Sequence, residues 1–153
     1  MFTTEWKFGM LDFDEVKRIR AVVFSNVPEE EEFDFFDGIA AHVLVRHEGI
    51  PAATARIYPD GNNTRIDRFA VLSEFSDAGY YELMLRLMLF KAEDLAGMEI
   101  IARLSEDDTM VPTFIKFGFV PKGDAIVERA GTYYDFYVAK DAVKWFSMCG
   151  EHK

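Results

Sequence analysis

The stretch from Thr64 to Gly97 constrains this chain more than any other. Thr64-Arg-Ile-Asp-Arg-Phe-Ala-Val71 is an extended run that ends in apolar residues. Residues 72–78 make a short polar connection, Gly79 follows, and Tyr80 to Ala96 is apolar nearly all round before Gly97 stops it. The pattern predicts a strand, a turn and a long, well-covered helix. Such a junction aims free backbone N–H groups at one point, and the helix dipole adds partial positive charge there. The turn is a phosphate seat in one reading and an ordinary buried strand–helix junction in the other.

Short strands and helices surround this unit. Glu5 to Met10 reads as an edge strand. Phe13, Val16, Ile19 and Val23 then recur at helical spacing, with Lys17, Arg18 and Arg20 outside. Asp12 with Glu15 three residues on predicts a capping box for that helix. Pro28 to Asp37 mixes six carboxylates with three Phe. It reads as a solvated acidic rim whose aromatics lie at the core edge or on a groove wall. Ala41–Arg46, Pro51–Tyr58 and Thr64–Val71 form an antiparallel meander, turned at Glu48-Gly49 and at 59–63. Met98 to Leu104 is a buried strand. Ser105–Asp108 caps a short helix with Pro112 in its first turn, and Gly118 closes it. Phe119–Val127 and Tyr133–Ala139 make a final hairpin, and Asp141–Met148 a terminal amphipathic helix. A helix joins the strands ending near Val71 and Leu104, so these two run parallel. The order predicts a single α+β domain over 1–153. Its mixed, mostly antiparallel sheet carries helices on both faces and a neighbouring parallel pair that can diverge to leave a cleft.

Half of the 153 residues are apolar, fifteen of them Phe, enough for one sizeable core. A formal charge of -10 argues against nucleic acid and anionic membrane as partners and favours a cationic ligand such as an amine. The same charge also serves simply to keep a Phe-rich domain in solution. One cysteine, Cys149, forms no internal disulfide, which suits a reducing cytoplasm. Three scattered His and one Cys give no metal-ligand spacing. No apolar run reaches membrane-spanning length, and the first residues lack the regions of a signal peptide. The Phe excess and Trp145-Phe146 leave room for a homodimer.

Four stretches carry a family resemblance. They are Glu32-Phe33-Asp34-x-x-Asp37 with Ala41-His42; Ala53-Thr-Ala-Arg56-Ile57; Arg68-Phe69-Ala70-Val71; and Phe114-Ile-Lys-Phe-Gly118-Phe119. In this order and spacing, from about Glu15 to about Tyr137, the chain resembles the GCN5-related N-acetyltransferase (GNAT) family. The resemblance implies acetyl-CoA as acyl donor. It also implies that the parallel pair parts after Phe69, where Phe69, Ala70 and Val71 would hydrogen-bond the pantetheine arm. Ser76, Asp77, Ala78, Gly79, Tyr80 and Tyr81 would hold the pyrophosphate with backbone N–H groups. An amine would attack the acyl carbon directly, and a tyrosine near the short helix would protonate the leaving thiolate.

The chain departs from that pattern where coenzyme A is bound and turned over. The family's Gln/Arg-x-x-Gly-x-Gly/Ala turn reads Ser76-Asp77-Ala78-Gly79-Tyr80-Tyr81, so only Gly79 survives, and Asp77 brings a negative charge. Phe114 stands where the family places its proton-donating tyrosine. Asp107 replaces a common amide, and Tyr134 a common His. His42 is a candidate base beside the acceptor cleft, or else a hydrogen-bonded strand residue. Glu32 and Asp34 are candidates to bind or deprotonate an amine, or else members of the acidic rim. Tyr133, Tyr134 and Tyr137 are other hydroxyl sources, and Glu74 a helix cap. Two functions follow. One is an N-acyltransferase moving an acetyl group from acyl-CoA to a primary amine of a small cationic acceptor. The other is an inactive protein of the same fold that binds a small molecule or a protein through the cleft.

Overall fold

The computed structural model describes residues 1–129 and 131–145. In chain order the elements are β1 (Phe2–Phe8), α1 (Asp14–Val23), α2 (Glu29–Glu32), β2 (Ala41–His47), β3 (Ile50–Asp60), β4 (Asn63–Val71), α3 (Tyr80–Ala92), β5 (Glu99–Ser105), α4 (Val111–Lys116), β6 (Val120–Glu128) and β7 (Gly131–Ala139). Single 3-10 turns occupy Phe35–Gly38, Ser73–Phe75 and Lys140–Ala142. The seven strands form one sheet in the order β1-β2-β3-β4-β5-β7-β6. Every neighbouring pair is antiparallel except β4 with β5.

Period-two alternation sends side chains to two different cores. On one face Phe13, with Val16 and Ile19 of α1, meets Leu44, Ala70 and Leu72. On the other, Met84, Leu85 and Met88 of α3 cover Val43, Ala53, Ile57 and Ile66, and the core continues to Ile100, Phe114 and Phe136. The α+β architecture read from the sequence, with helices on both faces, is the one found.

Several local expectations are corrected. The edge strand begins and ends two to three residues earlier than Glu5–Met10. No capping box starts α1. Asp12 has φ 52°, Phe13 is the N-cap without a side-chain bond, and Glu15 turns instead to Arg46, whose Nη2 lies 2.6 Å from Oε1. The reciprocal box lies at Asp34 and Asp37 around the 3-10 turn. Helix α3 ends at Ala92, not Ala96, and unwinds through i→i−3 bonds at Glu93, Asp94 and Leu95. Gly97 is small for another reason: a Cβ there would come within 2.8 Å of the backbone N of Thr64. Of the terminal helix expected over Asp141–Met148, the described part is one 3-10 turn and an irregular stretch to Trp145, and 146–148 lie outside the described residues. Cys149 lies outside them too.

The β4–β5 pair positions the site. The two strands share a parallel register only at Thr64↔Ile100 and Arg65↔Ile101, and no further pairing between them occurs among the described residues. They part after Arg65, four residues before the expected divergence after Phe69. On its other side β4 stays paired to β3 up to Ala53↔Val71. The gap is therefore bounded by an ordered strand with one open edge.

Candidate active site

The open edge has a defined polarity. Leu72 N–H bonds Ala52 O at 2.9 Å across to β3, and in an antiparallel ladder successive residues point their main-chain groups to opposite sides. Val71 therefore turns its N–H and C=O into the gap, and Phe69 does the same two residues earlier. Ala70 packs into the α1-side core and is fully buried. Of the three residues expected to line the cofactor arm, two bring main-chain groups to the gap and one is structural.

A bulge makes this arrangement. Between Thr54↔Ala70 and Arg56↔Asp67 the register shifts, so β4 carries one extra residue opposite Ala55. Arg68 takes that place with φ 55°, a left-handed conformation that costs a non-glycine residue about 1–2 kcal/mol. The extra residue lets Asp67 and Ala70 share the α1 face while Ile66 and Phe69 join the α3-side core.

At the end of β4 the chain turns through Ser73–Phe75 into α3. Ser76, Asp77, Ala78 and Gly79 are exposed. Gly79 has φ 77°, and the place where its Cβ would stand is open space. No side chain caps α3 among the described residues, so its first-turn N–H groups face outward. Tyr80 and Tyr81 go different ways. Tyr80 is buried, its hydroxyl 2.6 Å from Nδ1 of His47, with Phe2 edge-on at 6.0 Å. Tyr81 reaches toward the gap, where the Val71 N–H donates to its hydroxyl. Burial pushes the Tyr81 phenol up and the Asp108 charge adds to this, against the Val71 contact, so the group is neutral at physiological pH.

The far wall is aromatic. Phe114 of α4 is fully buried, edge-on to Phe69 at 5.9 Å and to Phe119 at 5.0 Å. Asp107 accepts a hydrogen bond from the Ser105 hydroxyl. Tyr134 is partly buried against the α3-side core, while Tyr137 carries Lys122 Nζ 5.0 Å from its ring centre.

Glu32 and His42 belong to a different feature. On the α1 side of the bulge three arginines and four carboxylates form one cluster. Arg20 Nε lies 2.8 Å from Glu32 Oε2, and its Nη1 2.6 Å from Asp37 Oδ1. Arg56 donates to Asp34 at 2.7 Å, to Asp37 at 3.0 Å and to Asp67 at 2.8 Å. Arg68 closes the cluster, with Nε 3.0 Å from Glu32 Oε2 and Nη2 3.2 Å from Asp34 Oδ2. Arg20 and Arg56 are each 1 % exposed, and Glu32 4 %. Burial pushes the Glu32 carboxyl up, only partly offset by Arg68 and Arg20. At Asp37 burial pushes the same way, but hydrogen bonds and charges from Arg20 and Arg56 outweigh it and hold the carboxyl below its ordinary value.

His42 is fully buried beside this cluster. Its Nε2 lies 3.3 Å from Asp37 O, Phe13 stands edge-on at 4.9 Å, and Nδ1 has no hydrogen-bond partner among the described residues. Burial pushes its pKa down, against the Asp37 contacts.

The sequence reading put Arg20 on the solvent side of α1 and Glu32 on an exposed rim. Both are interior, because each supplies the charge that the other needs to be buried. Glu29, Glu30 and Glu31 do form the expected rim. Of the three Phe beside them, Phe33 packs under Arg20 and Lys17, while Phe35 and Phe36 are exposed, Phe36 stacking on Tyr58 at 4.6 Å. The missed signal was helical spacing: Arg20 lies four residues after Val16, on its buried face.

No family model matches the chain. It is 34% identical over 74 residues to YyaT of Bacillus subtilis, which has no assigned activity. It is 31% identical over 74 residues to a second Bacillus subtilis protein, provisionally named an acetyltransferase. Each match covers 44% of this chain, which spans about half the length of these curated relatives. Solved structures match across the domain. An acyl-CoA N-acyltransferase from Pseudomonas aeruginosa superposes with a TM-score of 0.75 at 15% identity, covering 90% of this chain and 99% of that one. Escherichia coli ElaA gives 0.75 at 17%, with the same coverage. A GNAT family acetyltransferase from Elizabethkingia anophelis, solved with acetyl-CoA bound, gives 0.69 at 15%, covering 90% and 97%. With its bulged β4 parting from β5 ahead of a glycine turn and helix, this chain has the fold of the GCN5-related N-acetyltransferases.

Proposed function

We propose that the protein is an N-acyltransferase that moves an acetyl group from acetyl-CoA to a primary amine of a small cationic acceptor. The observation that carries the reading is the open β4 edge. Phe69 and Val71 turn main-chain groups into the gap, and the strand leads straight to an α3 N-terminus without a side-chain cap. A pantetheine arm hydrogen-bonds such an edge as a partial extra strand, and a pyrophosphate suits such a helix start. The empty place at Gly79 lets phosphate approach the backbone closely. In the reaction the amine nitrogen attacks the thioester carbonyl, the C–S bond breaks, and the proton lost by nitrogen balances the thiolate released. Main-chain donors on β4 are the groups placed to polarise that carbonyl. The exposed Glu29–Glu31 run and the net charge of -10 favour a cationic acceptor over an anionic one. Dependence on acetyl-CoA would place the protein in the cytoplasm.

For Glu32 and His42 we infer supporting roles: both are interior, Glu32 paired and His42 neutral. A second reading, a binding module without transfer, is favoured by two observations. Phe114 has no hydroxyl to donate, and the Tyr81 hydroxyl occupies the Val71 N–H. Titration calorimetry with acetyl-CoA, beside an assay for thiol release with a panel of small primary amines, separates the two. Saturable heat with amine-dependent thiol release supports transfer. Saturable heat without release supports the module, and no heat at millimolar acetyl-CoA overturns the acyltransferase reading.

A further inference from the structure

We propose that Arg68 is the positioning residue of the β4 edge: its guanidinium, anchored to the 32–34 segment, holds the left-handed bulge that turns the Phe69 and Val71 main chain into the gap. The geometric part stands on the ion cluster alone, and the catalytic part rests on the acyltransferase reading.

Arg68 is the one residue of the β4 interior with positive φ. A bulge that needed only backbone freedom would be served by glycine. Here a long cationic side chain occupies the strained position, and it is fully engaged. Its Nε lies 3.3 Å and its Nη2 3.2 Å from the Glu32 carbonyl oxygen. Its Nε lies 3.0 Å from the Glu32 carboxylate, Nη2 3.2 Å from Asp34 Oδ2, and Nη1 3.6 Å from Asp67 Oδ2. These partners are themselves fixed from behind. Arg20 Nη2 also donates to Glu32 O, at 2.7 Å, and Arg56 holds Asp34. The anchor is therefore rigid, and the bulge hangs from it.

The cluster also ties the β4 edge to the chain that precedes β2. The segment holding Arg68 continues directly into Phe35 and Phe36, both exposed. A shift of this segment reaches β4 directly through Arg68, and indirectly through Arg56, which binds both Asp34 and Asp67. Arg68 suits a test because it is expendable for burial. Its side chain is 24% exposed, and without it Glu32 keeps Arg20, and Asp34 keeps Arg56. Removing it strands no buried charge, whereas removing Arg20 or Arg56 does.

The test compares full-length wild type, Arg68→Gly and Arg68→Lys. Glycine keeps the left-handed backbone available while deleting the tether. Hydrogen–deuterium exchange is followed at the amides of 70–72, next to the bulge. The proposal expects Arg68→Gly to fold and these amides to exchange about tenfold faster, through more frequent local opening. It expects Arg68→Lys to fall between, since an ammonium does not reproduce the multidentate contact. With acetyl-CoA and an accepted amine, kcat falls by about 100-fold while KM for acetyl-CoA rises by no more than about fivefold, since the edge is misplaced but the α3 start is untouched. Unchanged exchange at 70–72 in Arg68→Gly overturns the tether, whatever the activity. Faster exchange with kcat unchanged overturns its catalytic part. Wild type without transfer sinks the acyltransferase reading alone, and the exchange result then decides the tether by itself. Should Arg68→Gly not fold, Arg68→Lys carries the same exchange criterion.

Discussion

Arg56 and Asp67 face each other across the β3–β4 ladder and are joined by two parallel hydrogen bonds of 2.8 Å, Nε to Oδ1 and Nη2 to Oδ2. Paired this way, guanidinium and carboxylate make a strong charge-assisted contact. Arg56 also serves Asp34 and Asp37. Arg56→Ala should therefore lower the free energy of unfolding in urea by about 3–5 kcal/mol, because it leaves buried carboxylates short of charge. Arg103 also pairs with an aspartate, Asp135 at 2.9 Å, but its side chain is 37% exposed. Arg103→Ala should cost no more than about 1 kcal/mol in the same measurement.

Tyr81 sets the second expectation. Its hydroxyl takes the N–H that an entering pantetheine arm would use. Tyr81→Phe frees that N–H at the loss of one neutral hydrogen bond, about 1 kcal/mol, so acetyl-CoA should bind about fivefold more tightly by calorimetry. Tyr81→Gly with Asp77→Gly should gain more, since the latter removes a carboxylate next to the phosphate seat.

Phe114→Tyr restores the hydroxyl that the family pattern has at this position. Here the ring is fully buried between Phe69 and Phe119. Unless the new hydroxyl finds an acceptor, it should destabilise the fold by about 1–3 kcal/mol, read as a lower urea midpoint.

His42 gives the protein a pH dependence of definite sign. Its folded pKa is depressed, so the unfolded chain takes up a proton first. The stability that its neutral form contributes is complete above the unfolded value of about 6.5 and is lost as pH falls through the folded pKa. Glu32, whose folded pKa is raised, acts oppositely: its contribution is complete below about 4.5 and fades as pH rises through the folded pKa. Asp37, held low, matters only in stronger acid. The urea midpoint of wild type relative to His42→Gln should thus fall from pH 7 to pH 5.5, the comparison that isolates the His42 contribution from the opposing one of Glu32.

Gly97→Ala tests close approach rather than backbone freedom. A methyl there meets the backbone of Asn63 and Thr64 at 2.7 and 2.8 Å, where neither can yield without moving the start of β4. Overpacking of this kind costs about 1–3 kcal/mol, and the thermal midpoint should drop accordingly.

What the sequence disclosed follows from range. The meander from Ala41 to Val71 was legible because alternation and the turn at Glu48-Gly49 are local signals, and both turn residues do take positive φ. Gly79 was legible as a turn residue for the same reason. The parting of β4 from β5 came through the family resemblance, and even then four residues late, since register across a parallel pair depends on distant chain. Arg20 and Glu32 were misplaced because a charged residue reads as exposed until its partner is known, and theirs lie 12 and 36 positions away. The different fates of Tyr80 and Tyr81 were also hidden, since adjacent residues at a helix start diverge by what each finds, His47 for one and Val71 for the other.

Thr64–Arg65 against Ile100–Ile101 is a corner stitch between two blankets of strands. Past that corner no ladder bond joins the two among the described residues. The aperture is therefore governed by what is wedged in the slit, chiefly the rings of Phe69 and Phe114, and mutating these shims would retune how often it stands wide enough for a guest.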